Sequence, residues 1–257
     1  MKKLIYLLMS LSVVAFASCS DDKEKTSSNG GSSVYKSGTQ DGHDYVDLGL
    51  PSGTLWATCN VGATKSEDSG NLYAWGETTT KVYYDWSTYK YANGDYKKLT
   101  KYCHDHNFGN NGFTDSKTTL DLSDDAAYVN WGGKWRMPTK AQQEELVEQC
   151  YWVWTENYNN SHVKGYIVYK AKTSSDKGVE IYKGEALSSS YKLSDAHIFL
   201  PAVDIAGYKY NGCFWSSSLH AINPCVAWGA YFYSDDAYYY YDQRCYGQSV
   251  RAVIPGY

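Results

Sequence analysis

The sequence predicts an α+β fold in which two short helices accompany many short strands. Turn-forming Gly, Pro, Asn and Ser residues interrupt the 257-residue chain at short intervals. Helix-start signals occur at only two places, around residue 123 and directly after Pro138. From residue 151 onward the chain consists of short aromatic and β-branched segments broken by Gly and Pro, which is typical of strands.

The segment before the fold predicts export. A Met-Lys-Lys start precedes an apolar run at 4–16 that is too short for a permanent membrane span, and small residues stand before Cys19. This pattern resembles a bacterial lipoprotein signal, which implies that residues 1–18 are removed and that Cys19 is acylated, by palmitate or a similar chain, in the outer membrane. An ordinary signal peptide with an incidental cysteine is the alternative.

Residues 19–40 are predicted to form a lipidated, flexible tether. A charged cluster at 20–25 precedes a Ser, Gly and Asn tract that has almost nothing to bury. The acidic residues after Cys19 resemble the surface-export signal of Bacteroides-type lipoproteins, which implies display on the cell exterior. A solvated spacer that faces the periplasm is the alternative. No second apolar run of membrane length follows, so the outer-membrane lipid around Cys19 is the only membrane contact we expect.

Residues 41–257 are predicted to form a single domain with one sizeable core. Its first two strands are separated by the turn signal Pro51-Ser52-Gly53, and a polar stretch rich in Asn, Gly, Lys and Thr predicts a long loop at 93–119. Alternating or aromatic segments predict strands at 45–50, 54–62, 151–155, 165–170, 197–203, 214–218, 226–233, 238–245 and 249–254.

The first predicted helix covers residues 123–130. Ser123 can cap its start, and Asp124 and Asp125 fall in the first turn, where negative charge meets the helix dipole. The helix is expected to end at Gly132.

The second predicted helix has the stronger signals. Pro138 blocks extension backwards, and Thr139 with Gln142 forms a capping box. Leu146 and Cys150 lie one turn apart, which predicts a buried stripe.

Composition and charge narrow the classes of partner. The chain has 27 Tyr and 9 Trp against 6 Phe, and since Tyr keeps a hydroxyl for water, this excess predicts many half-exposed rings. The formal net charge is −4, and removal of residues 1–18 deletes two lysines and no acid, which leaves −6. No basic stripe is present to neutralise phosphates, so nucleic acid is not an expected partner.

Five different sequence motifs, each present once, are spread over nearly all of residues 41–254. They are YVDLGLPSGTLWATCNVG at 45–62, AWGET at 74–78, WRMPT at 135–139, FWSSS at 214–218 and GQSVR at 247–251. Together they resemble the Fibrobacter succinogenes major paralogous domain family, which is found in Bacteroides-type surface lipoproteins. The resemblance implies a C-type-lectin-like fold, in which the first and last strands pair and two short helices and long loops lie on a small, mostly antiparallel twisted sheet. The family has no agreed activity.

Metal and cofactor sites have weak signals. Cys103-His104-Asp105-His106 groups four potential ligands, but alternation along an extended chain directs His104 and Asp105 to opposite sides, so a solvated loop is favoured. The pairs 124–125 and 235–236 offer carboxylates for calcium, yet a helix start and a turn explain them, and the calcium motifs of C-type lectins are absent. We therefore expect no metal and no cofactor.

Catalytic signals are also weak. A Ser/His/Asp hydrolase would need a Gly-x-Ser-x-Gly elbow, which the chain lacks, and residues 216–218 fit a close-packed turn of the family motif. Cys225 and Cys245 only superficially suggest the paired cysteines of the formylglycine-generating enzymes, which share the lectin-like fold. No catalytic residue is assigned.

The best candidate site is a tyrosine-rich hairpin at 226–245. Trp228, Ala230 and Phe232 should share its inward face, whereas Tyr231 and Tyr233 should share the outer face. Positions 238–241 are all Tyr, so either register adds two tyrosines to that outer face. Cross-strand pairing that merely stabilises the hairpin is the alternative. The predicted ligand-binding residues are Tyr231, Tyr233, Tyr238, Tyr240, Asp235, Asp236 and Asp242.

The same hairpin suggests a disulfide. Apart from Cys19, six cysteines remain, and an even number outside the cytoplasm is compatible with disulfides. Cys225 falls opposite Cys245, give or take one position, so these two are the predicted pair, whereas Cys59 and Cys150 are expected near the core.

The sequence thus favours a cell-surface lipoprotein with a non-catalytic binding or adhesion module for a glycan or an extracellular protein. A secreted polysaccharide-acting hydrolase is one alternative, for which Glu77, Glu144 and Glu145 are the available acids and which needs two carboxylates about 5–10 Å apart. A structural subunit of a surface filament, with an exposed donor strand or groove, is another. The oligomeric state is left open.

Overall fold

Three small sheets organise residues 35–202 and 212–256, the part of the chain that the computed structural model describes. The strands within this part are β1 Gly38–Gln40, β2 His43–Val46, β3 Leu55–Ala57, β4 Cys150–Thr155, β5 Gly165–Lys170, β6 Val179–Ile181, β7 His197–Pro201, β8 Gly212–Leu219, β9 Val226–Tyr233, β10 Asp236–Gln243 and β11 Val253–Ile254. Its α-helices are α1 Ala126–Trp131 and α2 Lys140–Gln149. The prediction of an α+β fold with two short helices and mostly antiparallel strands is confirmed, although the strands form three sheets instead of one.

The first sheet, in the order β1-β2-β3-β11, joins strands from both ends of the domain. Leu55 of β3 lies opposite Ile254 of β11. The strand β1 falls within residues 19–40, which were predicted to be flexible, and this part of the prediction is wrong. Asp41 and Gly42 both have positive φ angles, 49° and 81°, and such a two-residue turn folds β1 back onto β2.

The second sheet has the order β6-β4-β5-β7. The pairs of β4 with β5 and of β5 with β7 are antiparallel, and β6 runs parallel to β4. One face of β4 and β5 contributes to a large apolar cluster together with α2 and β9, through buried side chains that include Trp152, Tyr166, Leu146 and Phe232.

The third sheet has the order β10-β9-β8, so β10 is an edge strand. A two-residue turn, Ser234 and Asp235, connects β9 to β10, and the register pairs Tyr233 with Asp236 and Val226 with Gln243. The pairing between β8 and β9 is interrupted after Trp215, where the register shifts before Leu219.

The two helices begin where local capping chemistry allows. At α1 the N-cap is Asp125, whose carboxylate accepts the N–H of Tyr128 at 2.9 Å, so the predicted cap at Ser123 is wrong. Residues 122–124 form a separate 3-10 turn that directs Asp124 inward. At α2 the predicted capping box between Thr139 and Gln142 is present, and Leu146 is buried.

Candidate functional site

The hairpin of β9 and β10 brings the four predicted tyrosines onto one face. Tyr238 lies opposite Tyr231, and Tyr240 lies opposite Gly229. Ring centroids are 6.5 Å apart for Tyr231 and Tyr238, 6.2 Å for Tyr233 and Tyr238, and 6.3 Å for Tyr238 and Tyr240. The structure therefore contains the cluster that the alternation of the sequence predicts.

Tyr231 is not accessible within this cluster, and its predicted place on an open face is wrong. It is only 1% exposed, because Cys213 of β8 lies opposite it and Gln248 covers it. Gln248 Nε2 donates to the Tyr231 hydroxyl and, at 3.3 Å, to Asp242 Oδ2. Burial raises the pKa of Tyr231 well above its usual value, and burial also raises the pKa of Asp242. Tyr231 thus belongs to a polar network that is buried at its ring, whereas Asp242, the other member, is half-buried.

The accessible rings lie along the edge strand. Tyr240 is 43% exposed, and Tyr239 and Tyr241, which the sequence-based set omitted, are each 37% exposed. The rings of Tyr240 and Tyr241 stack with their centroids 4.6 Å apart. Strict alternation predicts that only one face of the strand exposes its side chains, but on this edge strand side chains of both faces are exposed to solvent. The signal that could have identified the two omitted rings was the uninterrupted run of four tyrosines.

We name Tyr233 and Tyr238–Tyr241 the tyrosine surface. Tyr233 and Tyr238 are half-buried behind the three exposed rings. Asp235 and Asp236 are exposed at the turn beside them, where they can accept hydrogen bonds.

The opposite face of the hairpin is only partly a core face. Ala230 and Phe232 are buried as predicted, but Trp228 is half-buried at the rim. Its ring lies 5.6 Å from that of Tyr241, and Lys140 Nζ of α2 lies 4.7 Å from the centroids of Trp228 and Tyr239. Trp228 therefore extends the aromatic surface around the edge of the sheet instead of filling the core.

A glutamate that sequence reasoning missed holds the tip of the hairpin. Glu180 of β6 accepts the N–H of Ala237 at 3.0 Å, and Lys183 N donates to Ser234 O at 2.9 Å. Burial raises the pKa of Glu180 to about 7, and the nearby charge of Asp236 adds to the increase. These contacts fix the tyrosine surface to the second sheet.

The predicted disulfide between Cys225 and Cys245 is absent from the structure, where both are buried free thiols. Val226 pairs with Gln243, so Cys225 is offset from Cys245 by one position. The thiols also point to different neighbours, because Cys225 Sγ donates to Tyr96 O at 3.4 Å and Cys245 Sγ lies 3.9 Å from Gln243 Oε1. Cys150 is buried as expected, whereas Cys59 is only half-buried.

The glutamates considered for a hydrolase site form local ion pairs and hydrogen bonds instead. Glu77 pairs with Lys81 Nζ at 2.8 Å, Glu144 pairs with Lys140, and Glu145 accepts the N–H of Ser52 at 2.8 Å. Within residues 35–202 and 212–256, no group of three or more His, Cys, Asp or Glu side chains is arranged to hold a metal ion.

The comparisons with known proteins found no relative. No family model matches the chain, and neither a curated protein nor a solved structure matches it significantly. In the described part of the chain, no helix has the length and apolar character that crossing a membrane requires. The predicted lipoprotein signal at 1–18 and the predicted acylation site at Cys19 lie outside the described residues.

Proposed function

We propose that this chain is a surface-displayed lipoprotein, anchored in the outer membrane through acylated Cys19, whose domain binds a glycan or an extracellular protein without catalysis. The observation that carries the proposal is the exposure of three consecutive tyrosines, 239–241, on an edge strand that is fixed at its tip. Rigid rings with polar tips lose little conformational entropy on contact, and they are the side chains that dominate the binding energy of many interfaces.

A C-type-lectin-like fold is part of the proposal. It is supported by the pairing of β3 with β11, which joins strands from the two ends of the domain, and by the long, mostly irregular segment 58–121. The five family-like motifs also behave as core elements, since their large side chains are nearly inaccessible: Trp56, Trp75, Trp135, Trp215 and Arg251. Motifs of this kind describe a scaffold, and ligand specificity would then belong to segments outside them, such as β10.

Binding by the mature chain with Cys19→Ser, which keeps the protein in solution, tests this proposal. The chain is screened against immobilised glycans and extracellular proteins, and every hit is also assayed for hydrolysis. We expect Tyr240→Ser to weaken binding of a genuine ligand by more than about 1 kcal/mol, roughly five-fold, with an unchanged melting temperature.

Tyr83→Ser is the matched control, because Tyr83 is 72% exposed but lies outside the hairpin. This variant should bind as the unsubstituted chain does. Hits that bind Tyr240→Ser at full strength, or that lose as much affinity with Tyr83→Ser, would show that the ligand does not use the tyrosine surface.

A further inference from the structure

We propose that the outer edge of β10 binds an extended, cationic peptide segment of a protein partner, which pairs with the strand backbone and extends the β10-β9-β8 sheet by one strand. This inference rests on the proposed binding function and names the class of ligand. Its basis is the orientation of the β10 main chain, together with the charges at both ends of the strand.

In β10 the backbone N–H and C=O groups of alternate residues point away from β9, toward the outer edge of the sheet. The N–H of Ala237 donates to Glu180 and not to Phe232, which lies opposite it on β9. In a regular antiparallel pair, alternate residues point their N–H and C=O groups to the same side. Tyr239 and Tyr241 therefore also present these groups on the outer side, where no other described residue hydrogen-bonds to them.

The open part of the edge has a defined length. Glu180 occupies the N–H of Ala237 at one end. At the other end Asp242 Oδ1 accepts the N–H of Gln243 at 2.7 Å, and Trp86 Nε1 donates to Gln243 Oε1 at 2.7 Å. Two outward residues remain between these ends, enough to pair with an extended segment of about five residues.

The middle of the strand lacks the devices that usually protect an exposed edge. Natural edge strands carry charged side chains, Pro or bulges that discourage pairing with another chain, and the segment between Asp236 and Asp242 contains none of these. It consists instead of tyrosines, which favour extended backbone and pack well against a neighbouring strand.

The carboxylates at the two ends of the open edge favour a cationic segment as its binding partner. Asp235, Asp236 and Glu180 gather at the tip of the hairpin, and Asp242 stands at the far end of the open edge. Lys or Arg side chains at the ends of an added strand would meet these carboxylates and could lie over the ring of Tyr240, whereas the ring of Tyr239 is already in contact with Lys140, which pairs with Glu144. A second copy of this chain would bring the same carboxylates to the edge, so a separate cationic partner is favoured.

A synthetic peptide tests the inference directly. The probe is acetyl-Lys-Thr-Val-Thr-Val-Thr-Lys-amide, titrated into the isotope-labelled mature chain with Cys19→Ser. We expect the amide resonances of Tyr239 and Tyr241 to shift and to gain protection from hydrogen exchange. Two further peptides carry N-methyl groups at alternate residues, one at the odd and one at the even positions. The peptide whose methylated amides face β10 should bind about ten-fold or more weakly. Replacement of both Lys by Glu in the parent peptide should weaken binding by a similar factor.

Two variants separate the backbone from the ring. Tyr239→Thr removes the ring and keeps the edge N–H, whereas Tyr239→Pro removes both at a position where an edge strand tolerates proline. We expect peptide affinity to fall by less than about three-fold for Thr and by about ten-fold or more for Pro. If the Pro variant does not fold, binding of the N-methylated peptides to the unsubstituted protein shows whether the peptide pairs with the β10 backbone.

Several outcomes would overturn the inference. Equal binding of the parent peptide and both N-methylated forms would exclude strand pairing, as would equal binding by the Thr and Pro variants. A glycan ligand that is sensitive to Tyr240→Ser but equally bound by the Thr and Pro variants would remove the inference while the proposed function stands. Dimerisation of the peptide-free protein through β10 would make a second copy the occupant.

Discussion

Asp124 is a buried carboxylate that three side chains satisfy together. The hydroxyls of Tyr91 and Tyr102 each donate to it at 2.6 Å, and Lys101 Nζ lies 2.5 Å from Oδ2. Burial alone would raise the pKa of Asp124, but the hydrogen bonds from Lys101, Tyr102 and Tyr91 outweigh it and hold this pKa below its ordinary value. The residue joins two segments of the long loop region, at Tyr91 and at Lys101–Tyr102, to the 3-10 turn that precedes α1.

We expect Asp124→Asn to lower the free energy of unfolding by about 2–3 kcal/mol at pH 7, because a half-buried lysine and two buried hydroxyls lose a charged acceptor. The folded pKa lies below the unfolded one, so the contribution of the carboxylate is complete above the unfolded pKa near 4 and is lost as the pH falls through the folded pKa. Urea unfolding at pH 7 and below pH 4 measures both effects.

The control for this prediction is Asp235→Asn, since Asp235 is exposed at a turn. It should change stability by less than about 0.5 kcal/mol. Equal losses in the two variants, or a difference for Asp124→Asn that does not shrink in acid, would contradict the assigned role of Asp124.

At the scale of elements, the sequence predicts best where the signal is local. The capping box of α2 needs only residues 139–142, and the structure contains it. The start of α1 was misplaced because Asp124 is drawn inward by Tyr91 and Tyr102, which no local rule reveals. The strand β6 was missed because three residues carry little pattern, and it becomes a strand through parallel pairing with β4.

The hairpin shows the same limit at the candidate site. Four consecutive tyrosines make the cluster predictable in any register, and the structure places the rings together. Which of them remain accessible depends on Gln248 and β8, which cover Tyr231 from segments on either side of the hairpin in the chain. The alternation of residues within a strand predicts which side chains share a face, but it does not predict which of them other segments of the fold cover.

Glu180 gives the hairpin a pH dependence that can be measured. Its folded pKa is about 7 and its unfolded pKa is 4.5, so between these values the folded protein holds a proton that the unfolded chain has released. Stability from this group is therefore present below pH 4.5 and is lost as the pH rises through 7. Glu180→Gln keeps an acceptor for the Ala237 N–H, and it should be more stable than the unsubstituted protein at pH 8 by about 1–2 kcal/mol, after allowance for partial exposure.

Thermal unfolding between pH 4.5 and pH 8 tests this expectation, with Glu148→Gln as the control because Glu148 is exposed on α2. The melting temperatures of Glu180→Gln and the unsubstituted protein should coincide at pH 4.5, separate as the pH rises from 4.5 to 7, and differ by a constant amount above pH 7. A constant difference across the range would mean that the carboxyl group of Glu180 is not titrating in this window.

At the scale of the whole molecule, two buried guanidinium groups hold distant segments together, and among the described residues neither of them pairs with a carboxylate. Arg244 donates to the carbonyl oxygens of Lys101, Tyr102 and Pro224, and Arg251 donates to Asn60 Oδ1 and to backbone carbonyls that include that of Phe199. Burial lowers the pKa of Arg251 to about 10. This interior fixes the loops from within, and it leaves the edge of the third sheet as a surface that can vary without loss of the scaffold.

The proposed location follows from the opposite end of the chain. If Cys19 is acylated, the anchor is a set of acyl chains, each of which contributes about 0.8 kcal/mol for every methylene group buried in the bilayer. Cys19→Ser should therefore move the protein from the membrane fraction to the soluble fraction, as quantitative immunoblotting of fractionated cells would measure. Protease added to intact cells should release the domain, while a periplasmic marker protein stays intact. Membrane association that survives Cys19→Ser would contradict acylation, and a domain cleaved only after the cells are permeabilised would face the periplasm.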